Sequence, residues 1–582
     1  MNRGALVFRG AGAAFAAAAV GWSADVTLSA MLTAPRVEPG VVIPGTDLEA
    51  TGSPLLGLAL AMRGAGVLVR GPAQADLSLY GGTFQQTQLL LDGVRLFDPQ
   101  TAHHLLNLPV APEEVARVEI AAGSAASPLG PGAYSGAVNI VTAPAGADRA
   151  HIRLSAGSFG TTAARVSIPA GGARLSLGSY HTDGFREGAD AHLSDVLVRT
   201  EGFTVGYTDR VFGARDYYTT SPGEYERTRT AFAVARRTVS LGPESVLDIR
   251  AGGRVGEDFY TTNRSDPRTY ANEHTSGSGE AAVAFVRGAG DVDGWEIGCS
   301  AASWALDSRG YSTVAPSYRG MGRFTDHSAA VFGRVGHRWN VGLAVSGALR
   351  SDWYSRYDVQ WSPSAMVSWT PLQDLRVRLS GGSVHRIPSY TELYYWDPAH
   401  ETDAALKVER TRAYDAAAEW RTGPLWWRLA GYRYENTNAI DWVRAVPAAG
   451  PWRVTNLARV DVSVGEVHLE WPRRAWLSVR STHRDIGLPE GVETKYIGRY
   501  HPVSASCGVI VPVLQRAHVA LLHRYGGEVS RGFLAGTFSV QYRTGPVAVQ
   551  AAIDNLYDVP MEDVPGVPLP GRSFSGGVSF AW

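Results

Sequence analysis

Large apolar residues alternate with small or polar ones at every second position along much of this chain. The segment SFSGGVSFAW shows the pattern most clearly. Phe574, Gly576, Val578, Phe580 and Trp582 fall on one side, and Ser573, Ser575, Gly577, Ser579 and Ala581 on the other. Successive side chains of a strand point to opposite faces, so a period of two predicts a strand with one oily face. In a soluble sandwich the two faces meet core and water. In a membrane barrel they meet lipid and lumen.

The same texture runs on from about Ala150. HIRLSAGS, AARVSIP, ARLSLGSY, FTVGYTD, SVLDIRAGG, LWWRLAGYRY, HVALLHRY, FSVQYRT and VAVQAAID follow one another with turn residues between them. In DLRVRLS, Leu375, Val377 and Leu379 oppose Arg376, Arg378 and Ser380. Two arginines on one face are costly in a dry core and natural in a wet lumen. Residues 151–582 number 432, which at roughly 20 per strand with its share of turn gives about 22 strands. A barrel that wide has a lumen that is either plugged or open as a channel.

Residues 41–146 mix helix and strand signals. Ser53 reads as the cap of a helix whose first residue is Pro54. Leu55, Leu58, Ala59 and Met62 recur at helical spacing, and Gly64 and Gly66 end it. VLV (67–69), QLLLDGV (88–94), ARVEIAA (116–122) and GAVNIVT (136–142) read as short strands, with one helical turn at Pro112–Val115. The expected architecture is mainly β: a transmembrane antiparallel β-barrel of about 22 strands (147–582) with an N-terminal α+β plug domain (41–146) in its lumen.

Composition narrows the function. Among 582 residues, 54 basic residues balance 55 acidic ones, which excludes a nucleic-acid binder. The 16 Trp and 24 Tyr suit membrane–water interfaces. Lys407 and Lys495 are the only lysines. Neither follows a glycine-rich loop, so a P-loop is absent. Cys299 and Cys507 lack CxxC spacing, so metal and redox-motif readings are poor. At the start, Arg3 and Arg9 precede an apolar run from Gly10 to about Trp22. Residues 1–24 therefore read as a secretory signal peptide, too short to span a membrane, with cleavage near Ala19 or Ala24. Beyond it no stretch of 18 or more apolar residues occurs. No HExxH and no G-x-S-x-G elbow is present, so no enzyme is expected and no cofactor is implied.

Three strings resemble one known family. VLVRGP…DLSLYGGTFQQTQLLLDGVRLFDPQTAHHLLNLPVAPEEVARVEIAAGSAASPLGPGAYSGAVNIVTAP (67–144) resembles the plug domain of TonB-dependent outer-membrane receptors. SVHRIPSYTELYY…ALKVERTRAYDAAAEW (383–420) is similar to the family's Arg-x-Pro…Glu-Leu-Tyr…Leu-Lys-Pro-Glu-Arg stretch. AIDNLYDVP…PLPGRSFSGGVSFAW (552–582) is similar to its Asn-Leu-Tyr…Pro-Gly-Arg ending and last aromatic residue. Departures are Tyr80 where the family usually has arginine, Leu129 for a common tyrosine, and Val408 for the usual proline. The arginine lost at Tyr80 leaves one buried ion pair expected to lack a partner.

The resemblance implies a bacterial outer-membrane receptor. It would bind a scarce, large ligand of cobalamin or ferric-siderophore type and import it with energy from the TonB-ExbB-ExbD complex. The candidate TonB box is Val26, Thr27, Leu28, Ser29, Ala30, Met31 and Leu32, inside an N-terminal segment 25–40. By carry-over, two plug loops face outward to the ligand. One holds Thr83, Phe84, Gln85 and Gln86; the other holds Phe97, Asp98, Gln100, Thr101, His103 and His104. Adjacent histidines on a strand point apart and no third ligand is evident in sequence, so no metal site is expected there. The tyrosine-rich pieces 215–228 and 257–265 read as loop-proximal strand ends that either contact ligand or form an interface girdle, with the girdle favoured. Phe574, Val578, Phe580 and Trp582 are the expected signal to the barrel-assembly machinery. An uncoupled plugged pore or adhesin-like barrel is the alternative.

Overall fold

A computed structural model describes residues 40–582, apart from 147–148, 220, 289–292, 316, 448, 499 and 528–531. The expected signal peptide and the candidate TonB box Val26–Leu32 lie outside the described residues.

From His151 onward the alternating segments form a closed antiparallel barrel of 22 strands. Closure falls where the sequence analysis puts it. Ser573–Ala581 pairs with His151–Gly157 in the register Val578 to Leu154 and Phe580 to Ile152. Along Ser573–Ala581, Phe574, Val578 and Phe580 are exposed and the alternate residues half-buried. Trp582 is exposed and stacks on Phe580. Leu154, Ile249, Ile297, Val331, Leu379, Leu429 and Val467 are likewise exposed on other strands, a belt that suits lipid. The inward face is polar: Arg378 is buried while Leu379 beside it is exposed. Hairpins are tight at one end, as at Gly171–Gly172 between Thr162–Ala170 and Ala173–Thr182. The longer loops 387–408, 487–502 and 555–572 crowd the other end, which marks the extracellular side.

Inside the lumen sits a five-stranded sheet in the order β1 (Val41–Pro44), β6 (Val115–Ala122), β7 (Gly136–Thr142), β4 (Thr87–Leu91), β5 (Val94–Leu96). β4 and β7 run parallel, with Leu89 beside Val138. A small hairpin joins β2 (Val67–Val69) to β3 (Ala75–Leu77). Ile43, Leu48, Leu60, Leu91, Val118 and Ile140 form its dry core.

Polar motif residues fix the register of this sheet. Asp92 (φ 52°) and Gly93 (φ 77°) make the tight turn between β4 and β5, where positive φ at both positions favours Asp-Gly. The Asp92 carboxylate accepts from the Thr142 N–H (2.8 Å), and Asn139 Oδ1 from the Gly93 N–H (2.9 Å). Asn139 Nδ2 in turn donates to Glu119 (2.7 Å). Gly136 must be glycine: a Cβ there would lie 2.4 Å from the Ala121 carbonyl oxygen.

Two local expectations change. The helix spans Leu56–Arg63, not from Pro54, and Leu55 is its cap. The Ser53 hydroxyl accepts from the Leu55 N–H (3.2 Å) in the turn before it, so the Ser-Pro start signal is spent one turn early. A second helix, Gly45–Glu49, is too short to show periodicity in sequence. Cys299 and Cys507 are free thiols on different strands.

The lipid-facing assignment is testable. Val331 lies midway along Gly322–Arg338 on the outer face, and Arg334 on the inner face. Val331→Arg should cost about 2–4 kcal/mol if it sits at the bilayer midplane, read as a lower urea midpoint for the folded fraction in vesicles. An unchanged midpoint would remove Val331 from the lipid face.

Candidate ligand site at the plug apex

Two plug segments form the apex. In the first, the turn Phe84–Gln86 is closed by the Thr83 N–H donating to Gln86 Oε1 (2.9 Å). In the second, the Asp98 carboxylate accepts from the Gln100 N–H (3.0 Å), an Asx turn that reverses the chain after β5. The outer loop 387–408 lies over both. Its short helix Tyr390–Tyr394 is capped by Ser389. The N–H groups of Tyr390 and Thr391 donate to the carbonyls of Pro99 and Gln100 (3.0 and 3.1 Å). Gln85 Nε2 donates to Ser389 Oγ (3.2 Å).

Arg386 holds this arrangement. Its guanidinium forks onto Glu392 (2.9 and 3.1 Å) and onto Glu409 (3.0 and 2.8 Å), and all three side chains are buried. Glu409 also accepts from Gln86 Nε2 of the plug (2.6 Å). These are the arginine of the Arg-x-Pro motif, the glutamate of Glu-Leu-Tyr and the glutamate that precedes Arg410 in the stretch 383–420. One guanidinium thus joins the wall strand, the capping helix of the loop and, through Glu409, the plug.

Between apex, loop and wall lies a cavity of about 130 Å³. Phe84, Gln85, Phe97 and Asp98 line it from the plug, and Trp304, Tyr354 and Tyr390 from the barrel. Phe97 meets Trp304 edge-on at 6.0 Å. Arg95 lies 4.5 Å over the Phe97 ring and pairs with Glu280 of the wall. Aromatic walls with a carboxylate, an amide and a guanidinium suit a polar ligand with an apolar body.

The structure divides the residues carried over from the family. Phe84, Gln85, Phe97 and Asp98 reach the cavity. The others are not open to the outside as expected, apart from the half-buried Thr83 and Thr101. Gln86, Gln100, His103 and His104 are buried, because loop 387–408 and the wall cover them. Gln100 Nε2 donates to Asp258 (3.2 Å). His103 bonds to Asp76 (3.1 Å) and stacks on Phe84. Burial alone would raise the Asp76 carboxyl, but His103 and Arg70 outweigh it and hold it below the usual range. His104 turns the other way, as adjacent residues should, to Glu226 (3.3 Å) and Asp258 (3.8 Å). Burial opposes charge on His104, but Asp258, Glu226 and Asp98 push it up to about 9. The sequence offered no third group beside the two histidines; the fold supplies these two carboxylates from barrel strands.

The tyrosine expectation is also corrected. Tyr218 and Tyr260 point inward rather than into an interface girdle. Tyr218 donates to Gln74 and Glu226 (both 3.1 Å), and Tyr260 packs with Tyr270 and Tyr318 in a buried cluster. Glu224 and Glu226 draw these hydroxyls inward. Trp304, Tyr354 and Tyr390 were not foreseen as site residues. Tyr390 stands inside the recognised motif; Trp304, in CSAASWALDS, carries no local signal. Near Tyr80 the buried charges have partners among the described residues. Glu466 takes Arg428 (3.2 Å) and Arg480 (2.9 Å), and the Arg480 guanidinium lies 4.3 Å from the Tyr80 ring centre.

The model of the TonB-dependent receptor plug domain matches residues 38–137, and that of the TonB-dependent receptor-like β-barrel matches residues 170–478. The chain belongs to the TonB-dependent receptor family. It is therefore a protein of the bacterial outer membrane that imports a ligand, in a family of receptors and transporters rather than enzymes. The vitamin B12 transporter BtuB of Photobacterium profundum is 23% identical over 423 residues, 69% of this chain and 67% of that protein. A mutant of the ferric enterobactin receptor PfeA from Pseudomonas aeruginosa superposes with a TM-score of 0.71 at 13% identity, covering 95% of this chain and 100% of that one. The siderophore receptor PirA from Pseudomonas aeruginosa gives 0.70 at 15% identity, covering 93% and 99%. At these identities the two structures share the fold.

Removing Arg386 strands two buried carboxylates, which costs about 3–5 kcal/mol in comparable buried pairs. Arg386→Ala should therefore loosen the plug and raise the ion conductance of the reconstituted protein. Conductance at the wild-type level would show that the plug does not depend on this fork.

Proposed function

We propose that the protein captures a cobalamin or ferric-siderophore type ligand at the plug apex and passes it to the periplasm with energy from the TonB-ExbB-ExbD complex. The cavity shared by Phe84, Gln85, Phe97 and Asp98 with Trp304, Tyr354 and Tyr390 carries the reading. It joins plug and wall in one recognition surface, so a force that remodels the plug also dismantles the site. The relatives that transport vitamin B12 or bind siderophores support the ligand class. Pockets for drug-sized ligands hold ~300–1,000 Å³, so the present cavity takes only part of such a ligand.

In this reading residues 1–24 are removed on export and 25–40 deliver the pull through Val26–Leu32. Residues 41–146 are the remodelled plug and 147–582 the barrel. Thr83, Gln86, Gln100, Thr101, His103 and His104 serve by holding the apex in shape. The outward face of Phe574, Val578, Phe580 and Trp582 is presented to the barrel-assembly machinery.

Uptake of cobalamin and of ferric siderophores by cells lacking the protein identifies the ligand. Deleting residues 25–34 should abolish that uptake and leave surface binding intact. Uptake that survives the deletion would support the uncoupled plugged pore. Phe97→Ala should weaken binding about tenfold, and deletion of Trp582 should lower the amount of barrel recovered from the outer membrane.

A further inference from the structure

Among the described residues, the plug and the wall meet at one place through a cluster of groups that ligate metals. His104 of the plug apex points Nε2 at two carboxylates from neighbouring wall strands, Glu226 of Tyr225–Gly242 and Asp258 of Ser245–Thr261. The distances are 3.3 and 3.8 Å. One donor atom of each residue lies within 4.8 Å of the others. Donors held at about 2.0–2.2 Å from a tetrahedral ion stand roughly 3.3–3.6 Å apart, so small side-chain movements close the set. We propose that His104, Glu226 and Asp258 bind a divalent first-row transition-metal cation, best fitted by zinc(II), which ties the plug apex to the barrel wall.

The surrounding groups support the assignment. Asp98, Glu226 and Asp258 face this space, opposed among the described residues by one guanidinium, that of Arg254, which lies 3.7 Å from Asp98. The other neighbours are the buried imidazoles of His104 and His274. The carboxylates are also aimed by outer partners. Tyr218 donates to Glu226 (3.1 Å) and Gln100 to Asp258 (3.2 Å). Such partners orient ligands at metal sites and sharpen affinity. One nitrogen and two oxygen donors favour zinc and its neighbours over calcium, which takes six to eight oxygens. His103 is excluded, since its ring turns to Asp76.

The site spans the joint that must open during import, so the metal would strengthen plug attachment on the strand 225–261 side. Arg386 fastens the apex to the wall strand Leu375–Arg386 without metal.

The test uses the untagged full-length protein, folded in detergent and stripped with chelator. Titration with zinc chloride should show one equivalent bound, with calcium chloride failing to compete at equal concentration. Glu226→Gln and Asp258→Asn keep side-chain shape, and each should raise the zinc Kd at least about tenfold. His192→Gln, on the exposed surface, should not. X-ray absorption of the zinc-loaded wild-type protein, which needs no variant, should show one imidazole among oxygen ligands. Zinc affinity unchanged in both carboxylate variants, no bound equivalent in the wild type, or a signal from two imidazoles would overturn the proposal.

Discussion

A closed ladder of 22 strands satisfies every strand–strand backbone group within lipid, but it leaves a lumen too wide for its own side chains to fill. The rest of the molecule answers that constraint. Much of the inner wall is polar, so whatever fills the lumen must meet many polar groups. A plug with an ordinary apolar surface would strand those groups without partners, at a cost of roughly 1–3 kcal/mol each. The plug keeps Ile43, Leu60, Val118 and Ile140 in a core that extends onto apolar wall residues, among them Leu197, Phe232 and Val462. Elsewhere it turns hydrogen-bonding groups toward the wall.

Buried charge therefore organises the interface. Arg165 of the wall donates to Glu114 (3.0 Å) and Arg210 to the Ala73 carbonyl (3.0 Å). Ser124 of the plug donates to Asp415 (2.8 Å), and Asn107 to Thr228 (3.0 Å). Such contacts are specific while dry and lose much of their strength when water enters, because water replaces each partner. An interface built in this way holds the plug in one register yet can be separated stepwise. An apolar interface of the same area would resist separation along its whole length. The same chemistry thus seals the barrel and permits import.

The motif strings gain individual physical reasons. Asp92, Asn139 and Glu119 join adjacent strands of the plug sheet. Arg386, Glu392 and Glu409 fasten the outer loop and the plug to the wall. Asn555 spans its own loop, donating to the carbonyls of Val559 (2.8 Å) and Pro570 (3.2 Å), which sets the chain entering the closing strand. Where the chain departs from the family pattern, neighbours compensate, as Arg428 and Arg480 do around Glu466 near Tyr80.

Alternation by itself determined that the chain from His151 onward forms strands with unlike faces, and the count of residues determined a barrel of this size. Both rest on period two, a local property of the backbone. The Asp-Gly turn and the strands of the plug were legible for the same reason. The short helix Gly45–Glu49 and the start at Leu56 were not, because a helix of one or two turns leaves no periodic trace. The apical site was legible only in part. Phe84, Gln85, Phe97 and Asp98 belong to one stretch of plug, and family resemblance reached them. Trp304, Tyr354 and the pairing of His104 with Glu226 and Asp258 depend on which wall strands stand beside the plug. Residues separated by more than a hundred positions were brought together by barrel register and by how the plug sits in the lumen. Only the tertiary structure decides that, because no residue's neighbours in sequence record which strand will face it across the lumen.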